Sequence, residues 1–179
     1  EGIQWSLEEQ TLWQASLWIQ DDLCVMERRG GEYHLTAASV CSPANWRLEE
    51  KMGLSLAAIH DPVPGYGPVL GARVDRLFAG LRPGRPLLRF NWSIQHSPSL
   101  MWRDANRSAG SANPDETERY WRVERQTLRK LPRTGAVVFT IRIFLHSFAQ
   151  LAAVPGFSEE IDGLLRRLPV EQRRYKGLV

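Results

Sequence analysis

The chain has 179 residues, enough for one domain with one sizeable core, and 43% of them are apolar and 24% charged. No apolar run approaches the roughly 18–20 residues of a helical bilayer crossing, so transmembrane, collagenous and wholly disordered classes are excluded. Its 23 basic residues are nearly matched by 20 acidic ones, leaving a net charge of +3, and no dense basic block marks a nucleic-acid surface.

The first expected element is an amphipathic helix over about 7–20, with Ser6 and Glu9 as a capping box ahead of Leu7, Leu12, Trp13, Leu17 and Trp18. Leu23 to Met26 and Tyr33 to Val40 then flank Gly30-Gly31, the pattern of a β-hairpin. Asn45 is expected to cap a short helix through Trp46, Leu48 and Met52 that stops at Gly53, and Leu54–Ile59 reads as a short helical or irregular piece. His60 opens a stiff, proline-rich loop to Gly67. Pro68 suits the first turn of the central helix, whose apolar stripe runs from Val69 to Leu81. Strands are expected over about 86–95, 119–130 and 135–145, the last two joined by a turn at Leu131–Gly135. Between the first two lies a loop over about 97–116, rich in Ser, Asn, Asp, Pro and Gly and long enough to be functional or disordered. A helix near 157–168 and a basic tail at Arg173-Arg174-Tyr175-Lys176 close the chain.

Two strands, a helical crossover and three strands describe a single α+β domain over residues 1–179. That order is the one of a PAS-type domain, a five-stranded antiparallel sheet with helices packed across one face to leave a ligand pocket. Cys24 and Cys41 fall in apparently neighbouring strands, but no CxxC, metal-spaced cluster or secretory segment accompanies them, so reduced thiols in a cytoplasmic protein are expected. The chain begins at Glu1 rather than Met, as a fragment or processed chain would.

Several residues stand out chemically. His60 ends a short apolar segment before a loop whose prolines restrict the backbone; it suits either a ligand or a histidine satisfying backbone groups at a helix end. In the strand at 86–95, Arg89, Asn91 and Ser93 share one face and Leu88, Phe90, Trp92 and Ile94 the other, so the polar row either faces solvent or needs buried partners. Glu124 sits in a highly charged strand, Arg122 to Arg129, where it either pairs with an Arg of a neighbouring strand or aims into a pocket to hold a cation or transfer protons. Trp13, Trp18, Trp46, Trp92, Trp102 and Trp121 are expected as packing residues. Twenty basic residues are Arg and three are Lys, a skew that points to internal ion pairs. No Walker loop, GxGxxG, GxSxG or HExxH is present.

Taken in order, Asp22 to Met26, Leu48 to Gly53, Ile59 to Tyr66, Arg89 to Ser93, Arg122 to Pro132, Phe139 to Arg142 and Tyr175-Lys176-Gly177 resemble the haem-dependent oxidative N-demethylase alpha-subunit-like family over about residues 17–178. Members usually carry a longer N-terminal portion. The resemblance implies a PAS-like fold holding haem b, in an enzyme that demethylates a small secondary amine such as dimethylamine with O2. It implies electrons from NADPH through partner subunits carrying FMN and a 2Fe-2S cluster, and a tetrahydrofolate-binding partner that takes up formaldehyde; neither nucleic acid nor membrane is an expected partner. It also makes His60 the proximal iron ligand, with Tyr66 and Asn91 beside the cofactor. Glu124 is expected to bind the alkylammonium, and Arg89 to polarise bound oxygen or meet the haem propionates. A haem or small-ligand PAS sensor without catalysis is the alternative, although a sensor of neutral gases has little use for a buried carboxylate.

Overall fold

Two strands, a helical crossover and three strands follow one another in this computed structural model, which describes residues 11–102, 118–176 and 178. Strands β1 (Asp21–Arg29), β2 (Glu32–Ser39), β3 (Leu87–Gln95), β4 (Tyr120–Lys130) and β5 (Val137–Ser147) form one antiparallel sheet in the order β2-β1-β5-β4-β3. The first and last hairpins are local. The crossover delivers β3 to the far edge, which places β5 at the centre between β1 and β4. With six α-helices among the described residues, the class is α+β.

Register decides which side chains meet. Leu128 pairs with Phe139, and Phe139 with Cys24, so these three share a face. That face carries the core, where Cys24, Met26, Leu35, Leu128 and Val137 pack against Leu56, Phe78 and Leu81 of the crossover. The pairing shifts between Val25 and Met26, placing an extra residue in β2. The shift lets Tyr33 and Leu35 join Ala38 on the core side although their sequence parity differs.

The crossover begins with a 3-10 turn at Leu48–Glu50 and helix α2 (Leu56–His60), whose N-cap Ser55 accepts from the Ala58 amide. Asn45 does not cap a helix: it sits at a φ of 57°, and its amide donates to the Trp102 carbonyl at 2.9 Å. Asn tolerates that left-handed geometry better than most residues. The expected single helix from Pro68 is instead a π-helical turn, Tyr66–Gly71, running into α3 (Ala72–Gly80).

At the N-terminus the expected helix shortens to α1 (Leu12–Ser16), where Thr11 and Gln14 form the capping box. Ser6 and Glu9 lie outside the described residues, as do residues 103–117 of the expected loop. Trp13 and Trp18 are 62% and 49% exposed, so the α1 tryptophans are not core. Helix α4 (Phe148–Leu151), with Ser147 as its N-cap, leads to α5 (Phe157–Arg167) and α6 (Val170–Tyr175). Phe148 and Phe157 gather around Trp121, which stacks on Trp92 at 4.8 Å, so α4 and α5 cover one end of the opposite sheet face. Cys24 is buried, Cys41 is exposed, and both are free thiols.

Candidate functional site

On β3 the simple rule of apolar inside and polar outside is inverted. Leu88 and Phe90 are 57% and 61% exposed, whereas Asn91 is half-buried and Gln95 fully buried. The reason is the register. Asn91 lies opposite Glu124, and Glu124 opposite Ile143, so the polar row of β3 continues the face that carries the core. The solvent-facing reading of that row is thereby corrected for Asn91 and Gln95; Arg89, nearer the strand start, remains exposed.

Glu124 is the centre of this row. Its Oε2 accepts from Asn91 Nδ2 at 3.2 Å and from Gln126 Nε2 at 2.8 Å, while Oε1 stands 3.7 Å from Arg122 Nε, an ion pair rather than a hydrogen bond. The expected pairing with an Arg of a neighbouring strand does not form. The partner is Arg122 of the same strand, two residues away and on the same face.

Arg122 is 1% exposed. Its guanidinium donates to Gln95 Oε1 at 3.1 Å, to the Leu100 carbonyl at 3.0 Å and to the Ser42 carbonyl, tying β4 to two loops. Asp22 Oδ1 takes the Cys41 and Ser42 amides at 2.7 and 3.1 Å. Burial raises the Asp22 carboxyl above its ordinary range, against those amides and the Arg122 charge, while Glu124 adds to the rise. Burial likewise lowers Arg122, and the Glu124 and Asp22 carboxylates oppose that. The Arg-rich composition thus shows itself in one fully buried guanidinium between two acids.

His60 ends α2 as its sequence position suggests. Its Nδ1 lies 2.8 Å from the Leu56 carbonyl. A carbonyl can only accept, so Nδ1 carries the proton and Nε2 of the neutral ring keeps its lone pair. Burial lowers the His60 pKa, the Leu56 bond opposes this, and Arg89 and Lys51 push it further down, which favours the neutral form. The ring stacks on Tyr66 at 4.6 Å with 8° between planes. Tyr66 itself is 6% exposed, and its buried hydroxyl has no hydrogen-bond partner.

Of the residues singled out in the sequence, the fold therefore joins Glu124 to Asn91 and His60 to Tyr66, and sets Arg89 within electrostatic reach of His60. Four others belong to the site without having been assigned a role: Asp22, Arg122, Gln126 and Lys176. Lys176 follows α6 and donates to the Trp92 carbonyl at 2.5 Å, beside Glu124's strand partner Asn91. One of three lysines in so Arg-rich a chain was the available signal.

Cavities of about 360 and 420 Å³ open elsewhere, the first between the end of β3, α5 and α6 and the second between Pro62, Pro64 and α6. Only the second adjoins the His60 loop. Gln172 of α6 also donates to the Pro64 carbonyl at 3.1 Å, so α6 touches both that loop and, through Lys176, the edge strand.

A lone, neutral, backbone-oriented histidine and a hydrogen-bonded carboxylate on the helix-covered side of an antiparallel sheet define a cofactor-assisted rather than a nucleophilic site. Among the described residues no three His, Cys, Asp or Glu side chains cluster to hold a bare metal ion. The chain belongs to the haem-dependent oxidative N-demethylase, alpha subunit-like family, whose model matches residues 2–179. It is thus a member of a haem-dependent oxidoreductase family, and the alpha-subunit name implies a multi-subunit enzyme. Among the described residues no helix is long and apolar enough to cross a membrane.

Proposed function

We propose that this chain is the haem-holding, amine-oxidising subunit of an N-demethylase that converts a small secondary amine, R2NH, to the primary amine and formaldehyde. The balance is one O2, one NADPH and one proton consumed, with one oxygen atom leaving in formaldehyde and the other in water. FMN and 2Fe-2S partner subunits pass the electrons, and a tetrahydrofolate-binding partner takes up the formaldehyde. The fold is read as PAS-like, on its two strands, crossover and three strands.

The observation that carries this reading is the Glu124 carboxylate. Its side chain is 18% exposed, it receives two amide donors on Oε2, and its Oε1 has no contact shorter than the 3.7 Å ion pair to Arg122. A carboxylate so fixed, with one oxygen available, suits an alkylammonium N–H, and the charge-assisted bond is stronger than a neutral one. Asn91 and Gln126 orient the carboxylate before the amine arrives, so little reorganisation is needed on binding.

The residues present fit a haem. His60 Nε2 keeps its lone pair, and the Nδ1–H bond to Leu56 fixes the tautomer and the ring direction, as ligating histidines require. Tyr66 holds the ring by stacking and brings a buried, unpartnered hydroxyl. Arg89 offers a permanent cation near His60 for the cofactor's carboxylates. When bound, the haem supplies the oxygen chemistry that side chains lack. The protein's part is to hold the ammonium by its N–H at Glu124 and keep the imidazole neutral.

An optical titration tests this. The purified protein with hemin should show a Soret band that His60→Ala loses or shifts strongly, and dimethylamine should shift the band of the intact protein. A band indifferent to the amine favours a sensor, and a native spectrum in the His60 variant removes that residue as ligand.

A further inference from the structure

One cation near the Glu124 carboxylate has no part in the scheme above. Lys176 Nζ donates to the Trp92 carbonyl at 2.5 Å and stands 4.4 Å from the centroid of the Trp92 ring, a cation–π contact on an indole that is itself stacked on Trp121. Trp92 follows Asn91, which donates to Glu124. Lys176 is half-buried, and burial lowers its pKa while the Glu124 charge supports the ammonium, so the two groups feel one another. They do not touch: no ion pair within 4.0 Å joins them. The backbone carbonyl and the ring face thus hold the lysine in place, and it contributes its charge to the carboxylate's surroundings without covering it.

We propose that Lys176 sets the affinity of the Glu124 site for alkylammonium ions, as a fixed like charge against which the substrate cation enters. The inference rests on the reading of Glu124 as the ammonium acceptor. A carboxylate with no second cation would hold alkylammonium ions tightly and indiscriminately; Lys176 weakens that hold, so that the amine binds at a level from which it also leaves. Since β3 has a free edge at Trp92 and Lys176 is anchored there, the repulsion is built into the fold rather than left to solvent ions.

The test is calorimetric titration of the purified chain with dimethylammonium chloride at constant ionic strength, repeated across a salt series. Lys176→Met and Lys176→Gln should each lower Kd by about ten-fold, the order expected for removing one like charge from a half-buried site. Lys176→Arg should keep the intact value, and the gap between Met and Lys should narrow as salt screens it. Binding in both neutral variants that is unchanged or weaker, or an Arg variant that behaves like Met, overturns the proposal. Glu124→Gln separates the two levels: if it binds the cation as the intact chain does, the reading of Glu124 fails. If it loses binding while the Lys176 variants bind no tighter, only the role of Lys176 fails.

Discussion

Gln126 donates its amide N–H to Oε2 of Glu124 at 2.8 Å, both side chains rising from the same face of β4. Replacing Glu124 by Gln keeps this shape and removes the charge. Such a variant should fold and bind hemin like the parent, yet lose an interaction of about 1.5–3 kcal/mol with an ammonium, which is roughly ten- to a hundred-fold in affinity. Amine titration of the Soret band reads this directly, and full amine response in the Gln variant would exclude Glu124.

Arg122 is the joint between the site and its loops. Arg122→Met strands the Gln95, Ser42 and Leu100 acceptors and leaves Asp22 and Glu124 without their shared counter-charge. A loss of about 3–5 kcal/mol is expected, seen as a lower urea midpoint. Lys should rescue little, because a compact ammonium does not serve acceptors spread around a planar fork. A Met variant within about 1 kcal/mol of the parent contradicts this account.

The two thiols should react unequally. Burial first, then the Asp22 charge, pushes the Cys24 pKa up to about 12, whereas Cys41 is exposed. At pH 8 the Cys24 thiolate is then on the order of one part in ten thousand. A disulfide reagent should titrate one equivalent in the native protein and two after denaturation; rapid modification of both in the folded state would refute the buried assignment.

Asp22 gives stability a definite pH sign. Its folded pKa is raised above the ordinary 3.8, so between 3.8 and the folded value the folded state binds more protons than the unfolded. Its contribution is fully present below 3.8 and lost as pH rises through the folded value. Asp22→Asn can still accept the Cys41 and Ser42 amides but does not titrate. Urea midpoints measured from acid to neutral pH should therefore fall, relative to the Asn variant, as pH rises; parallel curves would show that Asp22 does not titrate differently on folding.

Local chemistry made much of this legible beforehand. Gly30-Gly31 marks a two-residue turn whose glycines both take positive φ, and the alternation on either side places β1 and β2. The strand at 86–95 and the one at 119–130 match β3 and β4 closely, because each is bounded by turn residues. His60 at a helix end followed by prolines was visible for the same reason. The helix near the N-terminus was drawn too long because apolar spacing alone does not show where Leu17 and Trp18 leave the helix and remain exposed.

What no local pattern contained is which face of β3 turns inward. Strand alternation gives two faces of equal standing, and the apolar one, Leu88 and Phe90, is the natural choice for the inside. The choice is made at a distance, by the β3–β4 and β4–β5 registers that place Asn91 opposite Glu124 and Glu124 opposite Ile143. The same is true of Arg122 and Lys176, whose partners lie 80 and 84 residues away at Ser42 and Trp92. Short-range propensity and spacing fix elements and the residues available to a site; the burial of a charge depends on partners brought together only by long-range pairing, since desolvation acts on the assembled surroundings and not on the sequence neighbours.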